Sequence, residues 1–261
     1  MKKFFALFFA TLLFFGCGNS QGDIPSGKVI VIGVDDAFPP LAFRDEKNEL
    51  VGFDIDLAKE TGKRMGVKFE FKPIDWNNKR EELLSGNVDI IWNGLDITDE
   101  RKEYMIFSNP YVEDRQIFLV KKGTAGDIRS ERDLTDKIIA TQAGATSETY
   151  VKQNKFLQTN AKEIKTFTKF GVALEALKNG EIDVFICDEM IARYETRKNP
   201  GQLEIIEVKS DTPMKMGIGF RKEDTKLRDS VQKAFKEVID DGTAKKISEK
   251  WFQADLIIHK L

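Results

Sequence analysis

The chain has 261 residues, enough for one large domain or for two modest ones that each bury a core. Its 41 basic and 43 acidic residues nearly cancel, and 41% of its residues are hydrophobic, which describes a globular protein and gives no indication of a nucleic-acid partner. A single histidine, His259, and two distant cysteines, Cys17 and Cys187, argue against histidine metal centres, imidazole-based catalysis and disulfide scaffolds. We expect no metal and no cofactor.

The first residues have the pattern of an export signal. Two lysines precede an unbroken run of apolar and small residues from Phe4 to Phe15, which is too short to span a membrane as a helix. We predict that residues 1–16 form a signal peptide and that 17–27 form a tether. Cys17 follows Gly16, as in bacterial lipoprotein signals, so Cys17 is the predicted lipid anchor to the membrane. A simple secretory peptide with an incidental cysteine stays open. Cys187 is then unpaired, and we expect it to be buried.

Strand-like and helix-like segments alternate along the rest of the chain. Short β-branched runs are typical of buried parallel strands, and capping residues bound the helices between them. Asp54 is the predicted N-cap of the first helix. The predicted segments are a strand at 28–34, a helix at 54–66, a strand at 67–71, a helix at 79–84 and a strand at 88–92. This order predicts an α/β fold whose ligands bind beyond the carboxyl ends of parallel strands.

A faint internal repeat favours two similar α/β lobes. The segment 83–91 matches 177–185 in its leucine, glycine and aspartate positions, and each would contain a helix end, a glycine turn and a buried strand. Extended segments at 111–120 and 205–220 are predicted to cross between the lobes. The predicted helices at 227–239 and 243–252 return to the first lobe. We therefore predict that lobe 1 comprises 28–118 plus 209–261 and that lobe 2 comprises 119–208, with a cleft between them.

One stretch of the first lobe favours an anion site. The strand before Asn93 and Gly94 runs into a loop, and Thr98 is placed to N-cap a helix that carries Arg101 in its first turn. The helix dipole disfavours a cation there, unless an anion binds between the guanidinium and the backbone N–H groups. The alternative is a surface arginine that pairs with Glu103 or Asp99.

The second lobe offers complementary groups. After the predicted strand 138–141, a turn that contains Ala145 and Thr146 leads into a helix, so that backbone N–H groups point at the same carboxylate. Asp188 follows the predicted strand 182–187 and begins a helix at 189–194. An N-cap role alone would explain Asp188, although that carboxylate could also receive an ammonium group.

Polar and aromatic residues follow the first strand of lobe 1 as well. Asp35 lies at the carboxyl end of that strand, where ligands of parallel sheets bind. Phe38 and Trp76 are predicted to lie in loops, where two rings can form an apolar slot that also attracts a cation. The structural alternative is that Trp76 covers the lobe surface.

Several motifs in order resemble the polar amino-acid solute-binding proteins of ABC importers, which have the type II periplasmic-binding-protein fold. The resemblance covers roughly 28–255. It depends on the segments 52–57 (GFDIDL), 94–101 (GLDITDER) and 107–111 (FSNPY), together with Asp188-Glu189. Thr61 lies in the predicted helix 54–66, at a position where the family usually has an aliphatic residue.

The resemblance implies roles for individual residues. Arg101 would bind the α-carboxylate of an L-amino acid, helped by the backbone of Ala145 and Thr146. Asp188 would bind the α-ammonium, together with the Gly94 carbonyl and Asp96. Asp35, Phe38 and Trp76 would line the side-chain pocket. This chain has Asn93, Asp96 and Ala145 where the family usually has serine or threonine.

The extra carboxylates favour a cationic ligand, because an unpaired buried carboxylate is costly. We expect a monomer outside the cytoplasm, in the periplasm or at the outer face of a bacterial membrane, that captures lysine or arginine by lobe closure and delivers it to the membrane subunits of an ABC importer. A neutral ligand such as glutamine is one alternative. Another is an enzyme that resembles cyclohexadienyl or prephenate dehydratases, with Glu148 or Glu189 as the acid.

Overall fold

The computed structural model describes Ile24 and residues 27–207 and 213–259. The predicted signal peptide, Cys17 and most of the predicted tether lie outside these described residues. Within them, no helix combines the length and the apolar character needed to cross a membrane. Cys187 is buried as a free thiol, as predicted.

The described elements alternate between strands and helices. In chain order the strands are β1 (Val29–Val34), β2 (Ala37–Phe38), β3 (Ala42–Arg44), β4 (Leu50–Val51), β5 (Lys68–Pro73), β6 (Ile90–Ile91), β7 (Met105–Phe107), β8 (Val112–Asp114), β9 (Gln116–Lys121), β10 (Ile138–Gln142), β11 (Glu163–Phe167), β12 (Val184–Asp188), β13 (Leu203–Ile206), β14 (Met214–Met216) and β15 (Gly219–Arg221). The α-helices are α1 (Phe53–Met65), α2 (Lys79–Leu84), α3 (Asp99–Lys102), α4 (Thr146–Gln153), α5 (Lys155–Asn160), α6 (Phe170–Asn179), α7 (Glu189–Lys198), α8 (Thr225–Asp240) and α9 (Thr243–Phe252). Short 3₁₀ helices span Trp76–Asn78 and Glu131–Leu134.

Two five-stranded sheets form the centres of two α/β lobes. The first has the order β5-β1-β6-β15-β7, with β1 parallel to β5 and β6 and with β15 antiparallel to its neighbours. The second has the order β11-β10-β12-β9-β13, with β10 parallel to β11 and β12. Each sheet thus contains a parallel core and an antiparallel strand contributed by a crossing segment. The predicted fold class is confirmed, and the carboxyl ends of β1, β6, β10 and β12 are where a ligand is expected.

The segments that cross between the lobes are shorter than predicted. Strand β8 and strand β14 pair antiparallel as a separate two-stranded ribbon, with Asp114 opposite Met214. Strand β9, which begins at Gln116, pairs entirely within the second sheet. The predicted extended segment over 111–120 is therefore confirmed as extended, but it consists of two strands, β8 and β9, separated by Arg115.

The internal repeat corresponds to the same local structure in each lobe. Gly86 and Gly180 both follow a helix with φ of 79°, a left-handed conformation that favours glycine. Asp89 and Asp183 then each accept a hydrogen bond from a backbone N–H of the parallel strand beside them, from Val31 of β1 at 2.9 Å and from Ile138 of β10 at 2.7 Å. The repeated aspartates therefore fix the strand after the glycine turn.

Helix α1 corrects one local prediction. Its N-cap residue is Gly52, with φ of 145°, rather than Asp54. A Cβ at Gly52 would lie 2.1 Å from the carbonyl oxygen of Leu41, so this position requires glycine. The Asp54 side chain is free of capping and points into the buried interior.

Candidate ligand-binding site

One cavity between the two lobes collects every residue singled out from the sequence as a ligand contact. Its lining comes from both lobes, and a boundary between domains is a common place for small-molecule sites. Lobe 1 contributes Asp35, Phe38, Trp76, Asn93, Gly94, Asp96 and Arg101, and lobe 2 contributes Gln142, Ala145, Thr146 and Asp188. Gln142 is the one lining residue that sequence reasoning missed as a contact. The contacts of these residues with a ligand stay predictions.

Arg101 is a buried site residue rather than a surface arginine. Thr98 caps α3 through a hydrogen bond from the Arg101 backbone N–H, as predicted. The Arg101 side chain is only 6% exposed and turns into the cavity. Its guanidinium donates to the Asp96 carbonyl at 2.8 Å and to the Gly144 carbonyl of the second lobe at 3.2 Å. The alternative ion pairs with Glu103 or Asp99 do not form. Two of its five N–H donors are used, so others can still reach a carboxylate.

The loop before Arg101 is held in place by Asp54. The Asp54 carboxylate accepts hydrogen bonds from the Gly94 N–H at 2.7 Å and from the Tyr111 hydroxyl at 2.9 Å. Gly94 has φ of 56°, and a Cβ there would lie 2.5 Å from a Leu41 side-chain carbon. Burial raises the pKa of Asp54 to about 7, despite both hydrogen bonds. Helix α1, which carries Asp54, therefore fixes the position of the Gly94 carbonyl at the cavity.

Carboxylates surround the end of the cavity near Arg101. Asp96 is 3% exposed, and its Oδ1 has no hydrogen-bond partner among the described residues, whereas its Oδ2 accepts from the Thr146 hydroxyl at 2.6 Å. Burial raises the pKa of Asp188 to about 7, and the neighbouring charge of Asp96 adds to the rise. Burial also raises the pKa of Asp96, which Arg101 opposes, and holds the pKa of Asp114 behind them well above its usual range. This end of the cavity is therefore short of positive charge.

The position of Asp188 shows that capping does not explain it. Asp188 precedes α7 as its N-cap residue, but its side chain accepts no capping hydrogen bond. Its carboxylate instead accepts from the Gln116 amide and lines the cavity. The first N–H groups of α7 have other acceptors, since Glu189 donates to the Arg115 carbonyl at 2.8 Å and Met190 donates to the Asp114 carboxylate at 3.2 Å. This orientation leaves the carboxylate available to a ligand.

A third carboxylate of the lining, Asp35, is held by groups from both lobes. Its Oδ1 accepts from the Ala37 N–H at 3.0 Å, and its Oδ2 accepts from the Gln142 amide of lobe 2 at 2.6 Å. Asn93 accepts the Asp35 backbone N–H at 2.7 Å, so Asn93 holds the turn that carries Asp35. Burial raises the pKa of Asp35. An ionised Asp35 here would favour a cationic group beside it.

Two aromatic side chains flank the cavity. Phe38 lies in strand β2 and Trp76 starts a 3₁₀ helix, so neither lies in a loop as predicted. Trp76 is 6% exposed, and its packing against the lobe core coexists with its place in the cavity wall. Phe38 meets Phe170 of lobe 2 edge to face, with ring centroids 5.4 Å apart. The two rings leave apolar surface around the middle of the cavity.

The lobes touch one another on several sides of the cavity. The Asp96–Thr146, Asp35–Gln142 and Arg101–Gly144 hydrogen bonds each join lobe 1 to lobe 2. Lys79 makes a fourth such bond, from its ammonium to the Gly144 carbonyl at 2.7 Å. The conformation described is therefore closed around the cavity.

The two glutamates considered as catalytic acids do not fit that role. Glu189 pairs with Arg115 and Arg193 outside the cavity, and these partners lower its pKa, whereas a general acid needs a raised one. Glu148 accepts the Gly144 N–H at 2.8 Å and pairs with Lys152. Neither residue lines the cavity.

The buried carboxylates predict how stability depends on pH. A carboxyl whose folded pKa is raised from 3.8 to about 7, as for Asp54, holds a proton that the unfolded chain has already lost. Stability therefore falls as pH rises from about 4 to 7, by on the order of 1 kcal/mol per pH unit for each such group. Burial lowers the pKa of Lys79 to about 7, which acts in the opposite direction only above pH 7.

Differential scanning calorimetry of ligand-free protein at constant ionic strength measures this dependence. We expect the melting temperature to fall across that window and Asp54→Asn to reduce the slope, while the exposed-site control Asp127→Asn leaves it unchanged. A melting temperature that rises from pH 4.5 to 7 would contradict the prediction.

Comparisons with known proteins agree with this arrangement. Residues 30–254 match the model of the bacterial extracellular solute-binding proteins, family 3. The chain is 30% identical over 227 residues to the L-cystine-binding protein TcyJ of Escherichia coli K12, which covers 87% of this chain and 84% of TcyJ.

Two solved structures share the fold. A substrate-binding protein of an ABC uptake transporter from Streptococcus pneumoniae with bound histidine is 34% identical, with a TM-score of 0.83 over 88% of this chain and 94% of that one. An ancestral arginine-binding protein bound to arginine is 40% identical, with a TM-score of 0.80 over 86% of this chain and 98% of that one. These likenesses confirm the type II periplasmic-binding-protein fold. The chain belongs to family 3 of the bacterial extracellular solute-binding proteins.

Proposed function

We propose that this protein binds one free L-amino acid with a cationic side chain, arginine or lysine, and delivers it to the membrane subunits of an ABC importer. The observation that carries the proposal is the closed cavity whose described lining residues include one guanidinium, Arg101, and the three carboxylates Asp35, Asp96 and Asp188. No covalent chemistry is required of these residues.

The α-amino and α-carboxyl groups fit the end of the cavity near Arg101. The guanidinium and the backbone N–H of Thr146, where α4 begins, receive the carboxylate, while the Ala145 N–H donates to the Gln142 carbonyl at 3.2 Å and shapes the turn. The ammonium needs three acceptors. Asp188, the unpartnered Oδ1 of Asp96 and the Gly94 carbonyl supply them.

Charge supports a cationic side chain. The α-ammonium and α-carboxylate of any amino acid cancel, so the ligand offsets the excess carboxylates Asp35, Asp96 and Asp188 only through its side chain. A guanidinium or ammonium between Phe38 and Trp76 also gains attraction from the rings. Cystine, the ligand in the name of TcyJ, carries a second ammonium and a second carboxylate that cancel, so it brings no net positive charge, and Arg101 is the only basic residue among the described residues that line the cavity. The charge balance therefore favours arginine or lysine over cystine and over glutamine.

Capture follows from closure of the lobes. We propose that the ribbon of β8 and β14 is the hinge between lobe 1 and lobe 2 and that the ligand first binds one lobe. The bonds from Asp96 to Thr146 and from Asp35 to Gln142 then form across the cleft. The proposal includes export by the signal at 1–16 and anchoring of a monomer at Cys17.

Calorimetric titration tests the ligand class. Mature protein is unfolded, freed of co-purified ligand and refolded, and then titrated with each common amino acid, with cystine and with prephenate. We expect arginine or lysine to bind most tightly. Tighter binding of glutamine or cystine would contradict the cationic assignment, and turnover of prephenate would support the dehydratase alternative instead.

Asp35→Asn tests the side-chain end of the cavity. Removing this carboxylate while keeping its shape is expected to lower the ratio of arginine to glutamine affinity by about tenfold or more, since a hydrogen bond to a charged partner is worth roughly 1.5–3 kcal/mol. Asp127→Asn is the control, because Asp127 is exposed and does not line the cavity. An unchanged ratio in Asp35→Asn would place the ligand side chain elsewhere.

A further inference from the structure

Lys79 is a buried lysine that the proposed ligand contacts do not use. It begins α2 in lobe 1, and only 6% of its surface is exposed. Its ammonium donates to the Trp76 carbonyl at 3.1 Å and to the Gly144 carbonyl of lobe 2 at 2.7 Å, and it lies 5.1 Å from the centre of the Trp76 ring. No carboxylate in the described part of the chain lies within ion-pair distance of it. Burying an ammonium on carbonyls alone is costly, so its position calls for a compensating role.

The partner of Lys79 in lobe 2 is built for close approach. Gly144 has φ of 71°, and a Cβ there would lie 2.8 Å from the Asn77 Cα and 3.0 Å from the Lys79 Nζ. Its carbonyl also accepts from Arg101 at 3.2 Å, and its N–H donates to Glu148 at 2.8 Å. The turn of lobe 2 therefore sits directly against the backbone of lobe 1, and two cations of lobe 1 share one of its carbonyls.

We propose that Lys79 is a closure latch, a positioning residue that holds the Gly144 turn of lobe 2 over Arg101 and so slows release of the bound amino acid. This inference rests on the proposed function and names how the same site retains its ligand. Lys79 does not line the cavity, so it acts through two groups that flank the ligand. These are the Trp76 ring beneath its ammonium and the Thr146 N–H, two residues after Gly144. When the lobes separate, the ammonium exchanges the Gly144 carbonyl for water.

A latch and a residue that only supports lobe 1 differ in kinetics. Ligand enters the open form, before the bond to Gly144 exists, so removing the latch leaves the association rate nearly unchanged and speeds dissociation. Loss of folding support would instead lower the melting temperature of ligand-free protein and the fraction of competent molecules.

The test compares Lys79→Met with Lys102→Met, an exposed lysine that pairs with Asp99. Stopped-flow fluorescence with L-arginine, or with whichever amino acid binds the wild type most tightly, gives both rate constants. We expect Lys79→Met to raise the dissociation rate constant at least tenfold with an association rate constant within threefold of wild type, and Lys102→Met to change neither. In Gly144→Ala the added Cβ keeps the turn from approaching lobe 1. Adding Lys79→Met to that variant is therefore expected to leave the dissociation rate constant unchanged. A dissociation rate constant unchanged in Lys79→Met, or effects that simply add in the double variant, would overturn the latch.

A second measurement separates this proposal from the proposed function. Spin labels at Lys47→Cys and Asn179→Cys, one exposed position in each lobe, report the interlobe distance by double electron–electron resonance in a Cys17→Ser background. With ligand, we expect Lys79→Met to broaden the closed distance toward the open one. If no amino acid binds the wild type, the proposed function fails, and the ligand-free distances decide the latch. If the ligand-free wild type has a closed population that Lys79→Met lacks, the latch is supported. If the two proteins have identical distance distributions, the latch is overturned.

Discussion

Arg101→Ala is expected to weaken the binding of every amino acid roughly a thousandfold. The guanidinium is buried, oriented by its bonds to the Asp96 and Gly144 carbonyls, and is the basic side chain that faces the cavity. Removing one partner of a buried, hydrogen-bonded charge pair costs about 2–5 kcal/mol, and a loss of about 4 kcal/mol lowers affinity roughly a thousandfold. The loss applies to every amino acid, because all share the α-carboxylate.

Isothermal titration calorimetry with arginine, lysine and glutamine measures this loss. Arg80→Ala is the matched control, since Arg80 is an exposed arginine nearby that stacks on Tyr104, with its guanidinium 4.9 Å from the ring centre, and does not line the cavity. Circular dichroism verifies that both variants stay folded. Amino-acid affinity that survives Arg101→Ala would refute the assignment of the carboxylate to this arginine.

The sequence predicts this part of the site well because its signals are local. Gly94 in the loop, the N-cap Thr98 and Arg101, which the helix dipole disfavours, all lie within nine residues. The alternation of strands and helices predicts a parallel sheet and places these residues at the edge where ligands bind. Asp35 and Asp188 were found the same way, from their position directly after a buried strand. Gln142 carries the same signal, since it ends β10, and could have been included on that ground.

The sequence does not predict the contacts between the lobes. The Lys79–Gly144 bond joins residues 65 positions apart, and neither residue stands out in its own segment, where a lysine at a helix start and a glycine in a turn are ordinary. Asp54 was misassigned for a related reason. Its position favours an N-cap, but the aspartate is drawn away by the Gly94 N–H and the Tyr111 hydroxyl, two distant donors that only the folded chain brings together. Tertiary hydrogen bonds overrode the local preference.

The site shows a conflict between binding and stability. Asp35, Asp96 and Asp188 all lie where burial raises their pKa, so the closed cavity alone is a poor place for their charges. A carboxylate kept in such a place at a cost to folding is typical of functional sites. Glu189 differs from these site carboxylates, because two arginines lower its pKa and it therefore contributes to stability.

Asp188→Asn is expected to weaken binding of every amino acid about a hundredfold while leaving the folded protein at least as stable. The substitution keeps an oxygen that can accept from the Gln116 amide but removes the charge that receives the α-ammonium. A charge-assisted interaction of about 3 kcal/mol corresponds to that loss of affinity. At pH 7 the variant also removes a carboxyl whose pKa burial raises to about 7, so ligand-free stability rises or stays constant.

Glu189→Gln, at the adjacent residue, is the matched control and is expected to show the reverse pattern. Its carboxylate pairs with Arg115 and Arg193 away from the cavity, so the substitution lowers the melting temperature and leaves affinity unchanged. Calorimetric titration and thermal unfolding of both variants give a crossed comparison. Because Asp188 receives a group common to all amino acids, its variant keeps the ranking of ligands, whereas Asp35→Asn changes it. Undiminished affinity in Asp188→Asn would assign the ammonium to Asp96 and the Gly94 carbonyl alone.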